Sequence, residues 1–355
     1  MNLDDTKRFK ELDTLNMLGE IDGLPNQLQS AWELGQIPPL PEITEPTSIV
    51  ISGMGGSAIG ADLVAAAVSA TCPVPVIVHR NYGLPAFARG KTTLVIASSH
   101  SGNTEETLDS FEAARKHDCT IMAVTTGGEL AVRAGNAGCP VWTFAHEGQP
   151  RAAVGFSFGM LLALFARLKL TPDPGKELLG AVAAMKNAQP ELQAEILAAK
   201  NPAKRYAGQL VGRWVTVFGA DLLAPVARRM KTQINEIAKA AANFEFLPEA
   251  NHNALAGTLH PEEVMAPRTV NLFLRAPSDL PRNRKRLELT RQAFMLDGLN
   301  TDFIDARGET PLAHMWTTLH FGDYMAYYLA MAYGEDPTPI DALSDFKQAM
   351  KEEII

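Results

Sequence analysis

Two kinds of apolar pattern alternate along the chain. Ser48–Gly53, Val74–His79, Thr92–Ala97, Thr120–Val124 and Pro140–Phe144 are short, continuous, β-branched-rich runs, the pattern of strands buried on both faces. Between them Ile59–Ala70, Thr104–Lys116 and Glu129–Ala137 repeat apolar residues every three or four positions, which predicts helices. Strands separated by helices of this length imply right-handed crossovers and a parallel sheet. From Arg213 the alternation restarts: WVTVFG and Thr269–Arg275 predict strands, and Leu223–Ala242 and Pro281–Gly298 predict helices. Asp302–Ala306 predicts a strand and Pro311–Tyr333 a long aromatic helix. The chain thus reads as α/β, with two bodies of similar plan that could descend from an internal duplication. A leader of one or two amphipathic helices fills residues 1–45. The first body then covers 46–155, a helical, spacer-like connector 156–205, and the second body with a C-terminal helix 206–355.

Candidate chemistry concentrates where Thr92–Ala97 hands over to the next helix. Ser98–Asn103 is a polar turn containing a glycine, and Asn103 or Thr104 is the expected N-cap. A helix starting at the end of a parallel strand points free N–H groups and a partial positive charge at one spot. With the hydroxyls of Ser99, Ser101 and Thr104 that spot suits a phosphate, and Glu105 and Glu106 must then face away. By itself, Asn103-x-x-Glu106 is equally the signature of an ordinary helix start. Gly53–Gly60, GMGGSAIG, lies at another strand end. It lacks G-x-G-x-x-G spacing and no acid ends the following strand, so it is not a dinucleotide fingerprint. It reads as a second anion loop, in which Gly55 and Gly56 admit close backbone approach and Ser57 adds a hydroxyl. The corresponding turn of the second body, Gly219-Ala220-Asp221, carries an acid, so one phosphate site is expected, in the first body.

Composition narrows the classes. Net charge is -8 over 355 residues, which argues against a nucleic-acid groove. Cys72, Cys119 and Cys139 are scattered, with no CxxC, as expected of reduced thiols rather than a disulfide frame or zinc ribbon. The charged N-terminus has no apolar signal-peptide region, and no apolar run reaches membrane-spanning length. The expectation is a cytoplasmic protein with no membrane partner. No His/Asp/Glu cluster has metal-ligand spacing, so neither metal nor cofactor is expected.

In order along the chain, GMGGSAIG, SSHSGNTEET, EGQPRAA, KTQINEIAK, PEANHN and DPTP resemble the bifunctional phosphoglucose/phosphomannose isomerases. These are built of two tandem sugar-isomerase (SIS) domains, each a three-layer αβα sandwich around a parallel sheet. The match runs from about residue 48 to about residue 347. Two positions depart from the family: His100 stands where it usually has tyrosine, and Ile237 falls within what is typically NENAK.

The resemblance implies an aldose–ketose isomerase acting on glucose 6-phosphate, and also on mannose 6-phosphate, giving fructose 6-phosphate through a cis-enediol without a metal. It implies a phosphate anchor of Gly56, Ser57, Ser99, Ser101 and Thr104. Glu236 matches the family's base. By helical spacing alone it would be a surface glutamate paired with Lys239. His252 matches the ring-opening acid/base, which in the family reaches the site from a neighbouring subunit; a homodimer is therefore implied. Arg151 matches a cation that would stabilise an enediolate, and from the residues alone a salt bridge at a domain junction is an equal reading. Lys347 matches a lysine near the sugar oxygens, with Lys351 as its competitor.

Two other classes bear on the same motifs. A non-catalytic SIS regulator would bind the sugar phosphate without turnover, but such proteins usually join one SIS domain to a helix-turn-helix, absent here. The sugar-binding half of a glutamine-dependent aminotransferase would follow a glutaminase with a cysteine nucleophile, whereas the first cysteine here is Cys72, inside the α/β body.

Overall fold

The computed structural model describes residues 2–350. Helices α1 (Thr6–Leu12) and α2 (Met17–Leu34) precede the first sheet. That body then runs β1 (Ser48–Ser52), α3 (Gly55–Val68), β2 (Val76–His79), β3 (Thr93–Ser99), α4 (Glu105–Lys116), β4 (Thr120–Thr125), α5 (Gly128–Asn136) and β5 (Val141–Thr143). All pairings are parallel and the strand order is β2-β1-β3-β4-β5. The order reverses between β1 and β3, so the crevice at the carboxyl ends of these two strands is the expected ligand position. Every residue of β1 and β3 is buried, as their continuous apolar runs require.

Helices α6 (Val154–Arg167), α7 (Gly175–Ala188) and α8 (Pro202–Leu210) lead into the second body. It comprises β6 (Trp214–Ala220), α9 (Ala224–Ile237), β7 (Ala242–Leu247), α10 (Glu262–Arg268), β8 (Thr269–Arg275), α11 (Pro281–Leu296), β9 (Thr301–Asp305), α12 (Pro311–Tyr333) and α13 (Asp341–Ala349). Its parallel sheet has the order β7-β6-β8-β9. Both bodies therefore pair their first strand with their second and third.

Three expected elements differ. The helix expected from Ile59 starts at Gly55, which moves Ser57 from a loop into the first helical turn. The helix expected to end at Ala199 stops at Ala188 and passes into a 3₁₀ turn over Gln189–Glu191, where Pro190 has no N–H to continue the α-helical ladder. The helix expected to run to Ala242 ends at Ile237, and an unforeseen strand, β7, begins at Ala242.

The helices between the two sheets do more than space them. Nearly all of α6 is buried, as is most of α12. One apolar cluster joins α2, α3, α6, α7, α9 and α12 to residues of both sheets. Cys119 is buried, Cys72 and Cys139 are half-buried, and all three are free thiols. Among the described residues no helix is long and apolar enough to cross a membrane.

Candidate active site

At the β1/β3 crevice two helices begin side by side. Helix α3 starts at Gly55 with Met54 as N-cap, and α4 starts at Glu105 with Thr104 as N-cap; neither has a side-chain cap. The Ser57 amide donates to the Met54 carbonyl at 3.1 Å, and the other first-turn N–H groups have no side-chain cap, which suits an anion. The two loops are bound to each other, since the His100 amide donates to Ser57 Oγ at 3.1 Å. Ser99 Oγ lies 2.9 Å from Thr104 Oγ1 and accepts from the Gly102 amide at 3.1 Å. Ser101 Oγ accepts from the Asn103 amide at 3.2 Å. Ser57 and Ser99 are buried, Thr104 is half-buried and Ser101 is exposed. The two segments together thus carry four hydroxyls at two helix N-termini, an arrangement that favours a phosphate over a cation.

Gly56 connects this cradle to Arg151. A Cβ on Gly56 would lie 2.4 Å from the carbonyl oxygen of Pro150, so only glycine lets the Arg151 segment approach α3 so closely. Arg151 is buried. Its Nη2 donates to Pro337 O at 3.0 Å and also to Thr338 O, which fastens the DPTP segment to the first body. Its Nη1 is 3.7 Å from Glu236 Oε2. From below, Arg229 donates to the Arg151 carbonyl at 3.1 Å and pairs with the buried Asp323 at 2.7 Å.

Glu236 sits in the last turn of α9, with 29 % of its side chain exposed. Burial raises its pKa above the ordinary carboxylate value, against the opposing pull of Arg151, Arg229, Lys231 and Lys347. Lys347, on the exposed helix α13, is thus close enough for its charge to act on Glu236. Lys351 lies outside the described residues.

The surface pair with Lys239 does not form. The helix ends at Ile237, Lys239 adopts a left-handed backbone at φ 52°, and its Nζ donates to the carbonyls of Ile237 at 3.2 Å and Asp336 at 2.5 Å. Arg151 and Lys239 therefore both hold the tail that leads to α13. Sequence reasoning missed the roles of Lys239, Arg229 and Asp323. The lone acid Asp323 on the mostly apolar helix α12 was the available signal, and its separation from Arg229 along the chain concealed the pairing.

His252 is not brought to this group. It is exposed, on a short 3₁₀ turn (Glu249–His252) beyond the carboxyl end of β7. Lys239 precedes the other end of that strand, whose six residues span about 17 Å. The neighbouring Asn251 is tied to α11, donating to Thr290 Oγ1 at 2.7 Å and accepting from Arg286 at 3.1 Å. Among the described residues no group of three or more His, Cys, Asp or Glu side chains could hold a metal ion.

A family model described as the bacterial phospho-glucose isomerase C-terminal SIS domain matches residues 199–350. The bifunctional phosphoglucose/phosphomannose isomerase of Caldicellulosiruptor bescii is 36% identical over 340 residues, 95% of this chain and 99% of that protein. The enzyme of the same name from Aquifex aeolicus is 30% identical, over 93% of this chain and 97% of its own. A hypothetical protein from Thermus thermophilus has a crystal structure that superposes with a TM-score of 0.74 at 15% identity, covering 98% of this chain and 93% of that one; at that identity the likeness concerns the fold.

Proposed function

The chain belongs to the bifunctional phosphoglucose/phosphomannose isomerase family, and from that premise we propose that it interconverts glucose 6-phosphate and mannose 6-phosphate with fructose 6-phosphate in the cytoplasm, through a cis-enediolate and without a metal. The observation that carries this reading is the carboxylate of Glu236 standing 3.7 Å from the buried Arg151, whose segment is packed on the hydroxyl-lined cradle.

In this reading the N–H groups and hydroxyls of Gly56, Ser57, Ser99, Ser101 and Thr104 hold the sugar's phosphate. Glu236 takes the proton from C2 of the open-chain aldose and returns it to C1. One base serves both carbons because they are adjacent in a planar enediolate, and glucose and mannose, which differ only at C2, give the same intermediate. Raising the base's pKa by burial brings it closer to the operating pH. Arg151 and Lys347 oppose the negative charge that grows on the sugar oxygens. His252 opens the ring, and because it lies at the far end of β7 it acts in the site of a second copy.

The test is a coupled assay that measures fructose 6-phosphate from each aldose phosphate, side by side, with and without EDTA. Turnover of both, unchanged by EDTA, is the expected result. Binding without turnover would leave a sugar-phosphate regulator instead, and loss of activity with EDTA would remove the metal-free mechanism. The double variant Ser101→Ala/Thr104→Ala should raise KM about tenfold or more with a smaller effect on kcat, because phosphate is bound alike in ground and transition states. An unchanged KM would move the anchor elsewhere.

A further inference from the structure

We propose that Glu20, His146 and His100 form a one-way hydrogen-bond chain through which helix α2 positions the anion-binding turn, making Glu20 a positioning residue for the phosphate. The proposal rests on the reading of that turn as a phosphate site.

His100 lies within the turn, between Ser99 and Ser101. Its Nε2 is 2.9 Å from Nδ1 of His146, and His146 Nε2 is 3.2 Å from Glu20 Oε2. His146 belongs to the loop leading to Arg151, and Glu20 belongs to the leader. Three segments distant in sequence therefore meet in one line. Gly148 leaves room for the contact: a Cβ there would lie 2.5 Å from Glu20 Oε1 and 2.8 Å from His146 Cε1. The rings are walled by aromatics, with Phe144 stacked on Phe156 at 4.8 Å, His100 edge-on to Phe144, and His146 edge-on to Phe156.

The chain has a direction. An ionised carboxylate can only accept, so the hydrogen of His146 sits on Nε2. In a neutral His146 the Nδ1 then accepts, which places the hydrogen of His100 on Nε2 and leaves its Nδ1 bare. The bond from His146 holds Glu20 below the usual carboxylate range, and burial above all pushes His100 down to about 4. At neutral pH His100 is therefore an uncharged imidazole of one tautomer. Its backbone transmits the restraint: the His100 amide donates to Ser57 Oγ, and the His100 carbonyl accepts from the Thr126 amide at 3.0 Å and Thr126 Oγ1 at 2.7 Å. Fixing the ring fixes both loops of the cradle.

A carboxylate two rings away from an anion site is electrostatically unfavourable to the anion, and this gives the test its sign. Glu20→Gln keeps the shape and removes the charge. If Glu20 acted on the phosphate only by repulsion, the variant would bind phosphate more tightly. Gln can accept from His146 or, with its amide turned, donate to it, so the chain loses its direction and the turn its restraint. The expected result is inorganic phosphate binding weakened about two- to tenfold, with mixed tautomers replacing the Nε2–H form of both rings in imidazole ¹⁵N spectra. Equal or tighter phosphate binding, or a wild-type spectrum without the Nε2–H pair, overturns the proposal. If the wild-type protein shows the tautomers and binds phosphate but converts no hexose phosphate, the isomerase reading fails and the chain stands. If the wild-type protein binds no phosphate, the chain has no ligand to position and the proposal falls with its premise.

Discussion

Glu236 shows what a single residue's context adds to its identity. By spacing alone, Lys239 three positions on makes it half of a surface ion pair, and such pairs contribute little. In the fold the helix ends first, Lys239 turns away to the Asp336 carbonyl, and Arg151 takes its place beside the carboxylate. Neither change is encoded locally: Arg151 arrives from the other body, and the helix end depends on the strand that follows. The raised pKa of Glu236, caused first by burial, has two consequences of opposite value. For a base, the acidic limb of kcat/KM should lie above the ordinary glutamate range, since activity requires the ionised form. For stability, a carboxyl whose pKa is higher folded than unfolded favours the fold below its unfolded pKa, and that contribution is lost as pH rises through the folded value. Glu236→Gln removes this titration. The variant should retain phosphate binding, lose at least about a hundredfold in isomerisation rate, and unfold at higher urea than the wild-type protein at pH 8. The urea difference should narrow towards pH 5. Wild-type turnover in the variant would remove Glu236 as the base, and a lower midpoint at pH 8 would show that the Arg151 pair outweighs the burial.

At the scale of elements, the strand runs and the polar turn after β3 were legible because both are local: continuous β-branched residues for one, and serines, glycine and a helix start for the other. Two features were not. In KAAANFEFLP the alanines favour helix, whereas the alternation around Phe244 and Phe246 was the strand signal, weakened because β7 is an edge strand buried only at its two ends. The start of α3 at Gly55 was hidden because glycines are poor helix formers, yet here they admit neighbouring backbone. Gly102 is the sharpest such case, with φ 68° and a would-be Cβ 1.9 Å from the Gly127 carbonyl oxygen. Gly102→Ala should cost roughly 1–3 kcal/mol from the left-handed backbone alone, and more as the Gly127 loop is displaced, with phosphate binding lost in parallel. Gly135→Ala, in α5 with nothing within 4 Å of the added carbon, is the control and should be neutral or slightly stabilising. Urea midpoints of the two variants decide it; equal midpoints would mean that the interlocked turns yield easily.

For the whole molecule, the two halves share one large apolar cluster through α2, α6 and α12, while each sheet also buries a smaller cluster of its own, under α4 and α5 in the first body and under α11 in the second. The Ala-rich stretch that reads as a spacer became the inside of the protein because both bodies bury faces against it, a fact that exists only once both are present. That fixed arrangement also separates the expected catalytic pair, with Glu236 near one end of β7 and His252 beyond the other. A shared core leaves no hinge that would fold one end of a strand onto the other, so if both groups act on one sugar, the histidine must come from a second copy. A two-fold dimer satisfies this by symmetry, each copy giving and receiving one loop. Glu236→Gln and His252→Ala should then each be inactive alone. When the two are refolded together, half of the random pairs are heterodimers with one intact site of two, which restores about a quarter of wild-type activity. If both groups served the same chain's site, mixing would restore nothing, because no site in any pair would hold an intact glutamate and an intact histidine together.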